Sequence, residues 1–176
     1  LDPADTLLIA SPGNLDDMIN YPRICKERGI RCIFDPGQAL PALQSESLTE
    51  AIADSSMLIV NDYEFDLIMN KTGLSKTSLL DLADTAIITL GEHGSRLFSE
   101  NGEITIAPAR ARNVTDPTGC GDAYRGGLIS GIIAGKSLAE SARLGSVCAS
   151  FAVECYGTQV YSFTADEFND RLQNGS

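Results

Sequence analysis

An α/β fold built on a mostly parallel sheet is what this sequence predicts, and three observations predict it. Short apolar runs alternate with longer helical patterns from Thr6 to Gly91, the signature of successive βαβ units. The apolar runs are continuous, as in strands covered on both faces. After one break in the pattern the chain reads as helical to its end.

The first strand is TLLIA, Thr6–Ala10. Ile19 to Arg28 has helical composition and stops at Gly29, with Pro22 fitting only a first turn. RCIFD (Arg31–Asp35) is the second strand, closed by Pro36-Gly37. SLTEAIADS is a helix, and MLIVN (Met57–Asn61) the third strand. YEFDLIMNKTG is helical and again stops at a glycine, before the fourth strand TAIITLG (Thr85–Gly91). SRLFSENGEITIAPA breaks the alternation, because two short strands flanking Asn101-Gly102 make a hairpin. Three helical stretches follow, at about 121–134, 138–155 and 164–173.

The chain has 176 residues, 43% of them hydrophobic, which suits one domain or part of one. Its 24 acidic and 13 basic residues give a net charge of -11. That argues against a nucleic-acid surface, which needs clustered Lys and Arg. It leaves room for an anionic nucleotide held by local dipoles and a metal. Five cysteines without a CxxC, and one histidine, argue against a zinc site and point to reduced thiols in the cytoplasm. No apolar run approaches the roughly 20 residues of a membrane span, and no signal peptide is expected. The chain opens LDPADTLLIA without an initiator Met, as a processed chain, a trimmed one or a piece of a longer protein would.

Open α/β sheets bind ligands beyond the carboxyl ends of their strands, so the loops leaving the strands are where chemistry is expected. NDYE, Asn61 to Glu64, follows the third strand; its plain reading is a helix start with Asn61 or Asp62 as cap. TLGEHG, Thr89 to Gly94, follows the fourth; its plain reading is a glycine turn with His93 exposed. TDPTGCGD follows the hairpin. Here two glycines permit unusual backbone angles, and the helix starting near Gly121 directs N–H groups and its positive end into the loop. That makes an anion site. Asp122 could be a simple cap, but a carboxylate beside an anion site suits a group that takes a proton from an attacking nucleophile. Gly119, Cys120 and Gly121 then form an oxyanion cradle and Asp122 a general base. SGIIAGKS (Ser130–Ser137) imitates a P-loop, yet it lacks the first glycine and follows a helix instead of a strand.

On these residues the chain resembles the carboxyl-terminal part of ribokinase-like (PfkB) carbohydrate and nucleoside kinases. DPTGCGDAYRGGL looks like the family's second signature, D-T-x-G-A-G-D. NDYE is similar to its N-x-x-E motif and TLGEHG to its T-x-G-x-x-G nucleotide loop. SVCASFAVECYGTQ falls where the family places a late helix and loop beside the adenine. The resemblance covers nearly the whole chain. It implies a three-layer αβα ribokinase-like fold lacking its amino-terminal part and lid, with residues 1–176 forming the carboxyl-terminal portion of one kinase domain. It also implies ATP-dependent phosphoryl transfer to a hydroxyl, with Asp122 as base and Gly119 to Asp122 holding the transferring group.

Further roles follow from the resemblance. Asn61 and Glu64 would organise Mg2+ through its waters, while Thr89, Gly91 and Gly94 would line the nucleotide and Ser146 would neighbour the adenine. Asp116, Thr118, Ala152, Cys155 and Gly157 match a loop set that binds a monovalent cation, K+, in several members. Pro117 and Cys120 depart from the commoner Thr and Ala; Cys120, at a helix N-terminus, is a candidate for a lowered thiol pKa. The family's amino-terminal half carries most acceptor contacts, so the acceptor is weakly specified. FDPGQALP and NDYE resemble bacterial members named adenosine kinases, which ranks a ribosyl nucleoside first and a free sugar second. Self-association, or pairing with the missing half, is expected. The competing reading is a nucleotide-binding or regulatory fragment without catalysis. A hydrolase using Cys120 lacks a base, since His93 belongs to another loop.

Overall fold

The computed structural model describes residues 2, 4 and 6–175. Its elements are β1 (Leu7–Ala10), α1 (Leu15–Glu27), β2 (Arg31–Phe34), α2 (Ser45–Ala53), β3 (Met57–Asn61), α3 (Asp62–Thr72), α4 (Lys76–Leu80), β4 (Thr85–Thr89), β5 (Ser95–Ser99), β6 (Gly102–Ile106), α5 (Cys120–Ile133), α6 (Leu138–Ala152) and α7 (Ala165–Asn174). Short 3-10 turns lie at Gly37–Ala42 and Gly91–His93. The strands follow sequence order in one sheet, β1 to β6, and β1 to β4 run parallel. The α/β alternation read from the sequence is therefore present.

The chain resolves into two compact units. One is Leu1–Thr89 with Phe98–Glu103; the other is Leu90–Leu97 with Ile104–Ser176. In the first, β3 and β4 are apolar and buried along nearly their whole length. Phe34, Leu48, Ile52, Leu58, Ile68 and Ile87 form its fully buried core. β1 is an edge strand, and its Ile9 is 39% exposed.

In the second unit α5 and α6 pack closely because glycines remove side chains at the contact. A Cβ on Gly127 would lie 2.6 Å from the Leu144 carbonyl, and one on Gly145 would lie 2.7 Å from the Tyr124 carbonyl. The small-residue run after Asp122 thus serves helix packing. Tyr124 Oη and Ser95 Oγ, 2.8 Å apart and buried, tie α5 to β5. Burial pushes the Tyr124 phenol up to about 12. The P-loop imitation is a helix junction: Gly135 (φ 71°) ends α5, and Ser137 opens α6 in a capping box with Glu140.

Several boundaries differ from the sequence expectation. α1 begins at Leu15 instead of Ile19, so Pro22 sits inside it. The start is fixed by Asn14, whose side chain accepts the Asp17 N–H at 3.1 Å, with Asp16 and Asp17 favouring the positive end. Those gains, and burial of Met18 and Cys25, outweigh the hydrogen bond that Pro22 cannot donate. α4 and the turn at Gly37–Ala42 were not anticipated. α5 starts one residue earlier than expected, at Cys120, and α6 ends three residues earlier than expected, at Ala152.

Candidate active site

In the first unit the parallel register pairs Asn61 with Thr89, at the carboxyl ends of β3 and β4. Two motifs far apart in sequence thus emerge side by side. Asn61 also caps α3: its Oδ1 accepts the Glu64 N–H at 2.7 Å, and Glu64 Oε2 accepts the Asn61 N–H at 2.9 Å. The plain reading of NDYE as a helix start therefore holds. The box fixes the Glu64 carboxylate at the strand end.

In the second unit the TLGEHG turn closes through the Leu90 N–H, which donates to the Gly94 carbonyl at 2.8 Å. Gly94 has φ 84°, and a Cβ there would collide with the Ile106 carbonyl. That contact requires a glycine at this position. His93 is exposed, with Glu92 as its neighbour.

The DPTGCGD loop is strapped to the loop after α6. Thr115 and Asp116 donate their N–H groups to the Val153 carbonyl, at 2.8 and 3.2 Å. The Asp116 carboxylate accepts the Thr118 N–H at 2.9 Å and the Gly157 N–H at 3.1 Å. A hydrogen bond from the Thr118 side chain, followed by those two N–H donors, holds its carboxyl below the usual range. Asp116, Thr118 and Gly157 are thus brought together, with Ala152 and Cys155 joined by a 3.1 Å backbone bond in the same turn. Behind that turn Arg171, 7% exposed, ion-pairs with Glu154 at 2.9 Å and lies 3.6 Å from the Phe151 ring centroid. Sequence reasoning gave no sign of this anchor.

α5 opens differently from most of its neighbours. Side chains of Asn14, Asn61, Ser75, Ser137 and Thr164 cap α1, α3, α4, α6 and α7, whereas Gly119 at the start of α5 supplies none. The Cys120 N–H turns back to Pro117 and the Ala123 N–H to Gly119, so Gly121 and Asp122 present the N–H groups suited to a ligand. Gly119 has φ 86°, and a Cβ on it would lie 2.9 Å from Thr158 Cα and O. A Cβ on Gly121 would meet no atom of the neighbouring structure within 4 Å. Asp122 stands in this first turn with its side chain 71% exposed, and it ion-pairs with Arg125. The Cys120 thiol is raised, not lowered, because burial and the Asp116 charge outweigh the helix end. Burial, with smaller effects from the Cys148, Asp122 and Cys120 charges, raises the Tyr161 phenol. On α6, Ser146 is 6% exposed and its Oγ has no hydrogen-bond partner among the described residues.

The sequence matches the pfkB family of carbohydrate kinases over residues 4–165. The chain belongs to that family. Its relatives in the PfkB family include the nucleoside kinase of Methanocaldococcus jannaschii, 36% identical over 80% of this chain and 46% of that protein. The structure of Burkholderia thailandensis nucleoside kinase in complex with inosine superposes with a TM-score of 0.91. It is 37% identical, over 96% of this chain and 55% of that one. The 5-dehydro-2-deoxygluconokinase of Bacillus subtilis is 26% identical over 96% of this chain and 54% of its own length. The fold of this PfkB chain is therefore ribokinase-like, and the chain spans about half the length of the relatives it matches. Among the described residues no helix is long and apolar enough to cross a membrane.

Proposed function

We propose that this chain supplies the nucleotide and catalytic part of an ATP-dependent kinase whose acceptor is a nucleoside, adenosine-like or inosine-like, ahead of a free sugar. The likeness to nucleoside kinases supports the acceptor class. The observation that carries the chemistry is the start of α5, with its uncapped N–H groups, open space before Gly121 and exposed Asp122. The acceptor hydroxyl oxygen bonds to the γ-phosphorus, the bond from that phosphorus to the β,γ-bridging oxygen breaks, and the hydroxyl proton passes to Asp122. ADP and the phosphorylated acceptor are the products. Within the Gly119–Asp122 loop, the N–H groups of Gly121 and Asp122 stabilise the charge of the transferring group. The orphaned Ser146 hydroxyl suits a base edge, and Thr89, Gly91 and Gly94 suit the phosphates and ribose. Asp116, Thr118, Ala152, Cys155 and Gly157 form the candidate K+ loop. Five unpaired cysteines suit a reducing compartment such as the cytoplasm.

Mg2+ would neutralise phosphate charge, and it keeps several waters when bound. Asn61 and Glu64 would hold those waters. Glu64→Gln tests this cleanly, because Gln preserves the capping box. The Mg2+ needed for half-maximal rate should rise several-fold with the melting temperature unchanged; an unchanged metal requirement would reduce Glu64 to a cap.

The test of the function is an acceptor panel (adenosine, inosine, ribose, fructose) with MgATP and the protein carrying the amino-terminal half present in its relatives. A phosphorylated nucleoside is expected; nucleotide binding without any phosphorylated product would favour the non-catalytic reading. The 176-residue chain alone should bind nucleotide weakly, transfer nothing and self-associate, because edge strand β1 offers unpaired backbone groups. Sedimentation as a stable monomer, together with measurable turnover, would contradict that.

A further inference from the structure

Arg125 has no part in the transfer step just described, yet it ends at the residue proposed to take the proton. It lies three residues after Asp122 on α5 and ion-pairs with Asp122 Oδ1. Long side chains on a helix lean toward its N-terminus, so a guanidinium at this position reaches back to the first turn. The pair is not an ordinary surface contact. In Arg23–Glu27 on α1 the side chains are 55% and 60% exposed, a type of pair that contributes little. Arg125 is only 24% exposed while its partner is 71% exposed. Loss of solvent lowers the Arg125 pKa from its usual value, so placing the guanidinium here has a cost. An Asp carboxylate alone has a broad χ2 distribution; a guanidinium contact at one of its oxygens, Oδ1, restricts it.

We propose that Arg125 is a positioning residue: its ion pair through Oδ1 orients the Asp122 carboxylate so that Oδ2 faces the acceptor hydroxyl. The inference rests on the general-base reading of Asp122. The proposed effect on the acceptor is exerted through the Asp122 carboxylate. A rigidly aimed base is worth having, because misplacement by about 1 Å can cost roughly 100-fold in rate.

A double-mutant cycle on the protein with its amino-terminal half tests this. Arg125→Gln should lower kcat roughly 10- to 100-fold, with the KM for ATP unchanged. Arg125→Lys should regain part of the loss, and melting curves of both variants should stay close to the parent's. In an Asp122→Asn background, Arg125→Gln should change kcat by less than about twofold, since coupled residues do not add. Equal losses in both backgrounds, or no loss in the parent background, would overturn the positioning role. Near-parent turnover by Asp122→Asn alone would instead remove the general-base reading, and this inference with it. A crippled Asp122→Asn with an independent Arg125 effect would remove only the inference.

Discussion

Asp122→Asn should lower kcat roughly 10²- to 10⁴-fold, the usual worth of a positioned general base, while ATP affinity changes little. The amide keeps the shape of the carboxylate and remains an acceptable residue for a first helical turn, so fold and anion cradle are left in place. What it loses is the capacity to accept the acceptor's proton, together with the charge that pairs with Arg125. The Asp122 side chain faces solvent at the start of α5, where no burial or core packing confounds the substitution. The kcat of Asp122→Asn, measured with saturating MgATP and nucleoside, checks it. Turnover near the parent's would leave Asp122 as a plain helix-start residue.

The second large effect separates two glycines that look equivalent in sequence. Gly119→Ala should damage the fold: the residue has φ 86°, and the new Cβ would lie 2.9 Å from Thr158 Cα and O. The left-handed penalty and the forced backbone shift together cost roughly 2–4 kcal/mol. Gly121→Val should do the reverse. Its backbone is helical and its Cβ has open space, and valine is no worse than glycine in a helix. Stability should hold, while transfer falls roughly 100-fold as the side chain fills the volume meant for the phosphoryl group. Melting curves and kcat for the two variants check the contrast. A Gly121→Val protein with parent turnover would place the anion elsewhere.

The sheet was legible because β2, β3 and β4 are short apolar runs, with Pro36 and Gly91 just beyond β2 and β4, and the register brings Asn61 to Thr89 as strand-end reasoning requires. Helix starts expected at about 138 and 164 fall within one residue of α6 and α7, where Ser137 and Thr164 form capping boxes with Glu140 and Glu167. The start of α1 was not legible, because Pro22 reads as a first-turn residue, whereas the structure starts the helix at the Asn14 cap, followed by Asp16 and Asp17. α4 is five residues long, too short for periodicity to show.

At the candidate site, the sequence placed glycine, cysteine and aspartate around one helix start but could not rank them. Only the approach of Thr158 assigns Gly119 to the fold and leaves Gly121 for a ligand. The Cys120 thiol shift has the opposite sign to the helix-end argument, since burial, a tertiary effect, and the Asp116 charge raise it. The Glu154–Arg171 anchor joins residues on different elements and leaves no local trace. Arg125 did leave one: Asp and Arg three apart on a helix are neighbours.

The most direct test of the account follows the backbone amides of the isotope-labelled protein, with its amino-terminal half, as a non-hydrolysable ATP analogue and Mg2+ are added. If the transferring group sits in the proposed cradle, the largest shifts fall on Gly119, Cys120, Gly121 and Asp122, and Gly121→Val abolishes them. Nucleotide binding that leaves those four amides unmoved, with the shifts concentrated elsewhere, would contradict the account.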